Sequence, residues 1–307
     1  MTTLTIRDFR PADAGAVAAA HSAGREHLVL TPEVVVWMDA NLPAGRHHRT
    51  LVAELDGRVV GALRCGLVTG TTTRGVGYAN GSVLPAYRRR GAFTALLAEA
   101  EAYLAGHGVV ELHSWVDEEP GALEFAANRG FIAGRTAHFA RRDLSLPLPA
   151  APALPAGVEL RPASEWVEDP YPIFVVEADA IRDEPGEVAM DAADYEEFLH
   201  GDWARPDLDR ELTTVAVLDG EPVAFSAVQT DGADRYWSAF SACRRDFRGR
   251  GLTKLAKLES LRRAQVAGYR RAYTSNDATN APMLAINEWL GYERCASERK
   301  FVKRLDG

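Results

Sequence analysis

Cysteine is scarce. The 307 residues hold three, Cys65, Cys243 and Cys295, odd in number and far apart. They form no CxxC pair and no metal-ligand spacing, so a disulfide framework and a zinc site are excluded and a reducing compartment is expected. Long apolar runs are also missing. Nothing approaches the roughly 18 consecutive apolar residues of a membrane span. The opening Met1–Arg7 lacks a basic start followed by an apolar run. No signal peptide is therefore expected, and the expected location is cytoplasmic. Neither half is strongly basic: residues 1–150 carry 15 basic and 15 acidic side chains, and residues 151–307 carry 20 and 28. Binding to nucleic acid needs a cationic face, so DNA and RNA are not expected partners.

What is present is an ordinary globular mixture, 47% hydrophobic and 25% charged. At roughly 100–200 residues per domain, the length suggests two domains. Four prolines between Ser145 and Gly157 forbid a helix interior or a central strand there. That stretch reads as a semi-rigid linker, 145–157, separating an N-terminal domain, 1–144, from a C-terminal one, 158–307.

The two halves repeat one another. Asp56-Gly57, set between apolar runs, matches Asp219-Gly220 at an offset of 163, and both read as hairpin turns. Tyr87-Arg88-Arg89-Arg90-Gly91 matches Phe247-Arg248-Gly249-Arg250-Gly251 at 160, Gly108 matches Gly268 at 160, and Gly130-Phe131 matches Gly291-Tyr292 at 161. Each half predicts a short strand, one or two helices (about 12–22 and 31–40; about 171–181 and 191–200), a hairpin and a third strand. A long helix follows an arginine-glycine turn, then a strand, a short helix and a last strand. This order gives an α/β (α+β) fold used twice.

At Arg88-Arg89-Arg90-Gly91-Ala92-Phe93 and Arg248-Gly249-Arg250-Gly251-Leu252-Thr253 a strand ends and a helix begins. The first N–H groups of a helix lack partners within it and sit at its positive pole, a natural seat for a diphosphate. Glycine lets the backbone approach, and arginine adds fork-shaped donors. A surface turn with solvated arginines is the competing reading, and the recurrence at equivalent positions argues against it.

These turns resemble the phosphate loop of the GNAT superfamily of acyl-CoA-dependent N-acyltransferases, Arg/Gln-x-x-Gly-x-Gly/Ala. Phe93 and Thr253 depart from the last position. The resemblance implies two tandem domains, each a mixed, centrally splayed sheet flanked by helices, with acetyl-CoA as co-substrate and no metal. It also implies that Val83-Leu84 and Cys243-Arg244, just before each loop, border the pantetheine arm. The family's second signature is an Asn followed seven residues later by a Tyr and then Gly-Phe. The second half has Asn280, Asn287 and Gly291-Tyr292; the first has Glu119, Ala126 and Gly130-Phe131. Asn280 is either a helix cap, a cofactor ligand, or both. The second half keeps more of the signature, which makes it the expected catalytic domain, with the first a weaker or merely supporting acyl-CoA domain.

The resemblance also implies a proton donor for the leaving thiolate, and the usual Tyr is absent. Asn287 stands in its place, and Tyr236, Tyr273 and Asp277 are the candidates nearby, each with a structural reading as well. Thirteen acidic and three basic residues lie between Glu177 and Glu211. By resemblance this segment walls the acceptor site, and an acidic wall attracts a cation. The expected reaction moves an acetyl group to a primary amine of a small cationic molecule, in a monomer or homodimer, with no membrane partner. The alternative is a non-catalytic acyl-CoA-binding or sensing protein.

Overall fold

The computed structural model of the chain describes residues 3–305. The chain divides into two compact units. Unit 1 takes the residues through Ala137 together with those from Ser297 onward, and unit 2 takes His138–Ala296. The division is not linear in sequence, because the last strand carries the chain back into unit 1.

Unit 1 runs β1 (Leu4–Asp8), α1 (Ala14–Ser22), α2 (Pro32–Asn41), β2 (Arg49–Leu55), β3 (Arg58–Leu67), β4 (Val76–Val83), α3 (Ala92–Gly106), β5 (Glu111–Asp117), α4 (Pro120–Ala127) and the first half of β6 (Ile132–Asp143). Strands β1 to β4 pair antiparallel in order, and β4 pairs parallel with β5. The β2–β3 turn has Asp56 at φ +50° and Gly57 at +78°. Those are the two positive values of a type I′ hairpin, as the Asp-Gly pair predicts. Helix α3 buries Leu96, Leu97, Ala100 and Leu104 against Leu51, Leu63 and Leu112. Each buried leucine stabilises the unit by ~1.5–3 kcal/mol. The other sheet face is covered by α1 and α2 through Val17, Val34 and Val35, packed on Val52 and Ala62.

Unit 2 runs β7 (Val158–Pro162), α5 (Tyr171–Ala180), α6 (Tyr195–Phe198), β8 (Thr214–Leu218), β9 (Glu221–Thr230), β10 (Arg235–Cys243), α7 (Leu252–Val266), β11 (Arg271–Asp277), α8 (Ala281–Trp289) and the start of β12 (Glu293–Arg304). Its pairing repeats that of unit 1, with β10 parallel to β11. The second Asp-Gly turn has φ +51° at Asp219 and +88° at Gly220. The helix predicted over about 191–200 is reduced to α6 and a π turn at Leu199–Trp203. Asp194 caps α6 by accepting from the Glu197 N–H at 2.8 Å, which fixes its start. Pro185 and Gly186 keep the chain before it irregular.

The proline-rich stretch contains neither helix nor strand beyond residue 146. Its beginning is fastened to unit 2. The Arg142 guanidinium donates to the Pro147 carbonyl at 2.5 Å and to the Gly291 carbonyl at 3.3 Å, and the Gln265 amide donates to the Leu144 carbonyl at 2.7 Å.

Candidate functional site

In unit 1, β4 and β5 pair only from Val76↔Glu111 to Tyr78↔His113. Beyond that they separate. The Asn80 side-chain oxygen accepts from the Trp115 N–H at 2.8 Å, standing where a backbone partner would be. A cavity of about 550 Å³ opens from this splay, within the usual range of roughly 300–1,000 Å³ for small-molecule sites. Gly81 and Val83 of β4, Ser114 and Asp117 of β5, Leu97 of α3 and Ala126 of α4 are among its walls. Gly81 has no room for a side chain, since a Cβ there would overlap the Ala62 carbonyl and Leu63.

The arginine-glycine turn closes one end of this cavity. Gly91 caps α3 at φ +84°, and a Cβ added there meets no protein atom within 4 Å. The positive φ, and not crowding, therefore calls for glycine, and open space faces the first N–H groups of the helix. Arg89 carries a positive φ of +65°. That conformation costs a non-glycine residue about 1–2 kcal/mol. Arg88 donates from Nε to the Val83 carbonyl at 3.3 Å, tying the turn to the strand end. Arg129 lies on the Phe125 ring, 3.5 Å from its centroid, and donates to the Thr94 hydroxyl at 2.7 Å. Arg88, Arg89, Gly91, Ala92 and Phe93 all line the cavity, together with Arg129. A cationic rim around unpaired helix N–H groups suits a diphosphate.

A charged cluster borders the cavity as well. Arg25, in the loop after α1, meets Asp117 at 2.6 Å and Glu298 at 3.7 Å. Arg25 and Asp117 line the cavity. Glu298 lies on β12 directly opposite Asp117 in the β5–β12 ladder. Burial, and then the neighbouring Asp117 carboxylate, push the Glu298 carboxyl up to about 7, while Arg25 opposes the shift. His27 in the same loop is pushed down to about 4 by burial and by Arg25, so it is neutral at pH 7.

Unit 2 repeats the turn closely. Gly249 and Gly251 have φ of +77° and +74°, and Arg248 donates from Nε to the Cys243 carbonyl at 3.3 Å, as Arg88 does to Val83. Leu252 and Thr253 open α7, and Arg250 and Arg244 stack on Phe247 at 5.2 and 5.3 Å. Both loop arginines have carboxylate partners, Arg88 reaching Glu119 at 3.5 Å, but Arg248 is held more closely: Asp183 meets it at 2.6 Å and Arg245 at 2.7 Å, and Asp179 accepts from the Arg245 N–H at 2.7 Å. Those two arginines hold the Asp183 carboxyl well below its ordinary range. Several carboxylates of the acidic segment thus serve their own unit. Asp194 is a cap, and Asp207 pairs with Arg205 at 2.8 Å. Glu177 is pushed up to about 8 by burial and by Asp202 and Glu184.

The interior of the second cleft also differs. Leu97 and Ala126, which line the cavity of unit 1, correspond to Lys257 and Asn287 at the repeat offsets of 160 and 161. The buried Lys257 ammonium reaches the Thr274 hydroxyl at 3.4 Å, and the Asn287 amide donates to the Asn276 oxygen at 2.5 Å. Both tie a helix to β11, Lys257 at the last residue still paired with β10 and Asn287 two residues beyond it. The Asn280 oxygen accepts from the Met283 N–H at 3.3 Å, which makes it the cap of α8. Asp277 accepts from the Thr279 N–H at 2.8 Å and from its hydroxyl, shaping the turn before that helix. Tyr236 and Tyr273 are 0% and 1% exposed and pair with their neighbouring strands where β10 and β11 are still zipped. Burial holds the Tyr236 hydroxyl above its ordinary range. The structure therefore places Asn280 and Asp277 at the start of α8 and Asn287 in its last turn, bonded to Asn276, and leaves both tyrosines in the core.

The sequence profile of the acetyltransferase (GNAT) family matches residues 22–131. A mycothiol acetyltransferase from Brachybacterium faecium is 33% identical over 236 residues, covering 71% of this chain and 66% of that protein. A second, from Salinispora tropica, is 30% identical over 161 residues, covering 52% of this chain and 49% of that protein. The chain belongs to the GNAT superfamily. The matched stretches thus span just under two thirds and about half of these relatives. Among solved structures, a tandem GNAT protein from the clavulanic acid biosynthesis pathway superposes with a TM-score of 0.76 at 23% identity, covering 99% of both chains. A GCN5-related N-acetyltransferase from Sphaerobacter thermophilus gives 0.73 at 22%, covering 99% of this chain and 96% of that one. These two share the fold.

Sequence reasoning reached both arginine-glycine turns as helix starts at a positive-φ glycine. It missed Arg25, Asp117 and Glu298, whose proximity depends on the chain end returning to unit 1. Asn80, an amide inside strand β4, was a local signal for the splay.

Proposed function

We propose that this GNAT chain is an acetyl-CoA-dependent N-acetyltransferase that moves an acetyl group to the primary amine of a small cationic molecule, using the cavity of unit 1. The observation that carries the reading is the splay between β4 and β5, opening into a cavity that ends at the N-terminus of α3. Acetyl-CoA, when bound, supplies the activated thioester. The first N–H groups of α3, with Arg88 and Arg89, would hold its diphosphate. The strand edge at Gly81–Val83 would take the pantetheine arm and offer N–H groups to the thioester oxygen, where charge develops during attack. At the cavity wall an arriving ammonium would meet the Asp117 carboxylate, which it would share with Arg25. The curated relatives are named for acetyl transfer, which supports acetyl as the group moved.

The sequence motifs favour the second half as the catalytic one, and the geometry favours the first. The reason lies inside the cleft: Lys257 and Asn287 bridge to β11 where unit 1 has the shorter or apolar Leu97 and Ala126. The test is free-thiol release from acetyl-CoA across a panel of small amines. Release that depends on one or more amines supports transfer. Binding of acetyl-CoA without release for every amine replaces this reading with that of an acyl-CoA-binding protein.

A further inference from the structure

We propose that Glu298, which the last strand returns to unit 1, is the proton acceptor for the amine that reacts in this cavity. The proposal rests on acetyl transfer occurring in unit 1. Two carboxylates face one another across the β5–β12 ladder, Asp117 and Glu298, and one arginine serves both. The service is unequal. Arg25 contacts Asp117 at 2.6 Å and Glu298 at 3.7 Å, so Glu298 is the carboxyl with less compensation. Glu298 is 8% exposed and does not itself line the cavity; it adjoins Arg25 and Asp117, which do. Its burial moves its titration to near neutrality, where a base is most effective.

The other charges nearby do not neutralise it. His27 is uncharged at pH 7. Arg299, the next residue on β12, is paired with Glu118 at 2.9 Å. Lys300 and Arg135 lie over the Trp115 ring at 5.6 and 5.1 Å.

The proton count closes as follows. The Glu298 carboxylate takes one proton from the arriving ammonium through water, since it does not line the cavity itself. The amine nitrogen then forms the N–C bond to the thioester carbonyl carbon. The C–S bond breaks, and the thiolate leaves with its electron pair. The second amine proton passes to that thiolate. Glu298 returns its proton to solvent.

The experiment measures kcat against pH for the wild type, Glu298→Gln and Glu298→Asp, with acetyl-CoA affinity measured in parallel by calorimetry. In the wild type kcat rises through a limb near pH 7, because only the carboxylate accepts a proton. Glu298→Gln loses that limb and falls about 10²-fold or more at pH 7.5, as for removal of a general base. Its acetyl-CoA affinity stays unchanged, and Glu298→Asp recovers part of the rate with the limb restored. A limb near pH 7 that survives in Glu298→Gln, with kcat within about threefold of wild type, overturns the proposal while leaving transfer in unit 1 standing. Absence of turnover in the wild type with every amine overturns both.

Discussion

Lys257→Met should make this protein more stable, and the gain should shrink as pH rises. Lys257 is 1% exposed, its ammonium has a hydroxyl partner at 3.4 Å, and the Tyr292 ring lies 5.6 Å away. Burial pushes its pKa down from 10.5 to about 7. In the unfolded chain the amine binds its proton up to about pH 10.5, whereas in the folded chain it releases it near pH 7. The unfolded state thus holds more protons between these values, so this lysine's penalty is complete below pH 7 and fades towards pH 10.5. With 1.36 kcal/mol per pH unit, the penalty is about 4 kcal/mol at pH 7 and about 2 kcal/mol at pH 9. Methionine fills a similar volume with no charge, and imperfect packing returns up to about 1.5 kcal/mol. The net expectation at pH 7 is a gain of roughly 2–4 kcal/mol in unit 2, about 4–16 °C in its midpoint. Thermal and urea unfolding of both proteins at pH 7 and pH 9 measure it. Equal stability of the two at both pH values, or a variant that is less stable at pH 7, refutes the reasoning.

Two further outcomes follow from burial. Arg142→Met leaves the Pro147 and Gly291 carbonyls without their donor and should cost about 1–3 kcal/mol; urea unfolding measures this, and cleavage after residue 147 should accelerate under limited proteolysis. Cys65 is 0% exposed and its thiol is pushed up to about 12 by burial, so it should resist an aromatic disulfide reagent until unfolding, while exposed Cys295 reacts first.

Much of the architecture was legible because it is written in local chemistry. The Asp-Gly pairs specify type I′ turns by their tolerance of positive φ, and the glycines at 91 and 251 specify helix starts in the left-handed region. Repetition at offsets near 160 exposed the tandem arrangement. The limits are equally physical. Cap and ligand look alike in sequence at Asn280, and only the Met283 N–H at 3.3 Å shows the cap. Tyr236 and Tyr273 alternate along strands as any core aromatic does, so no spacing reveals that their hydroxyls are buried. The acidic segment reads as a uniform charged wall until Asp179 and Asp183 are found bound to the loop arginines. The Asp117–Glu298 pair joins residues 181 positions apart, which no local pattern encodes.

The central claim is that unit 1 holds acetyl-CoA, and calorimetry of Gly91→Asp beside Gly251→Asp tests it most directly. Each substitution puts a carboxylate over open space at a helix start, at φ +84° and +74°. A like charge about 4 Å from a phosphate costs about 1–4 kcal/mol between water and the effective surroundings of a protein surface. That is roughly a fivefold to thousandfold loss of affinity. The expected result is one acetyl-CoA per wild-type chain, with that loss in Gly91→Asp and a change under about threefold in Gly251→Asp. Full-affinity binding in Gly91→Asp with binding lost in Gly251→Asp contradicts the account and moves the site to unit 2.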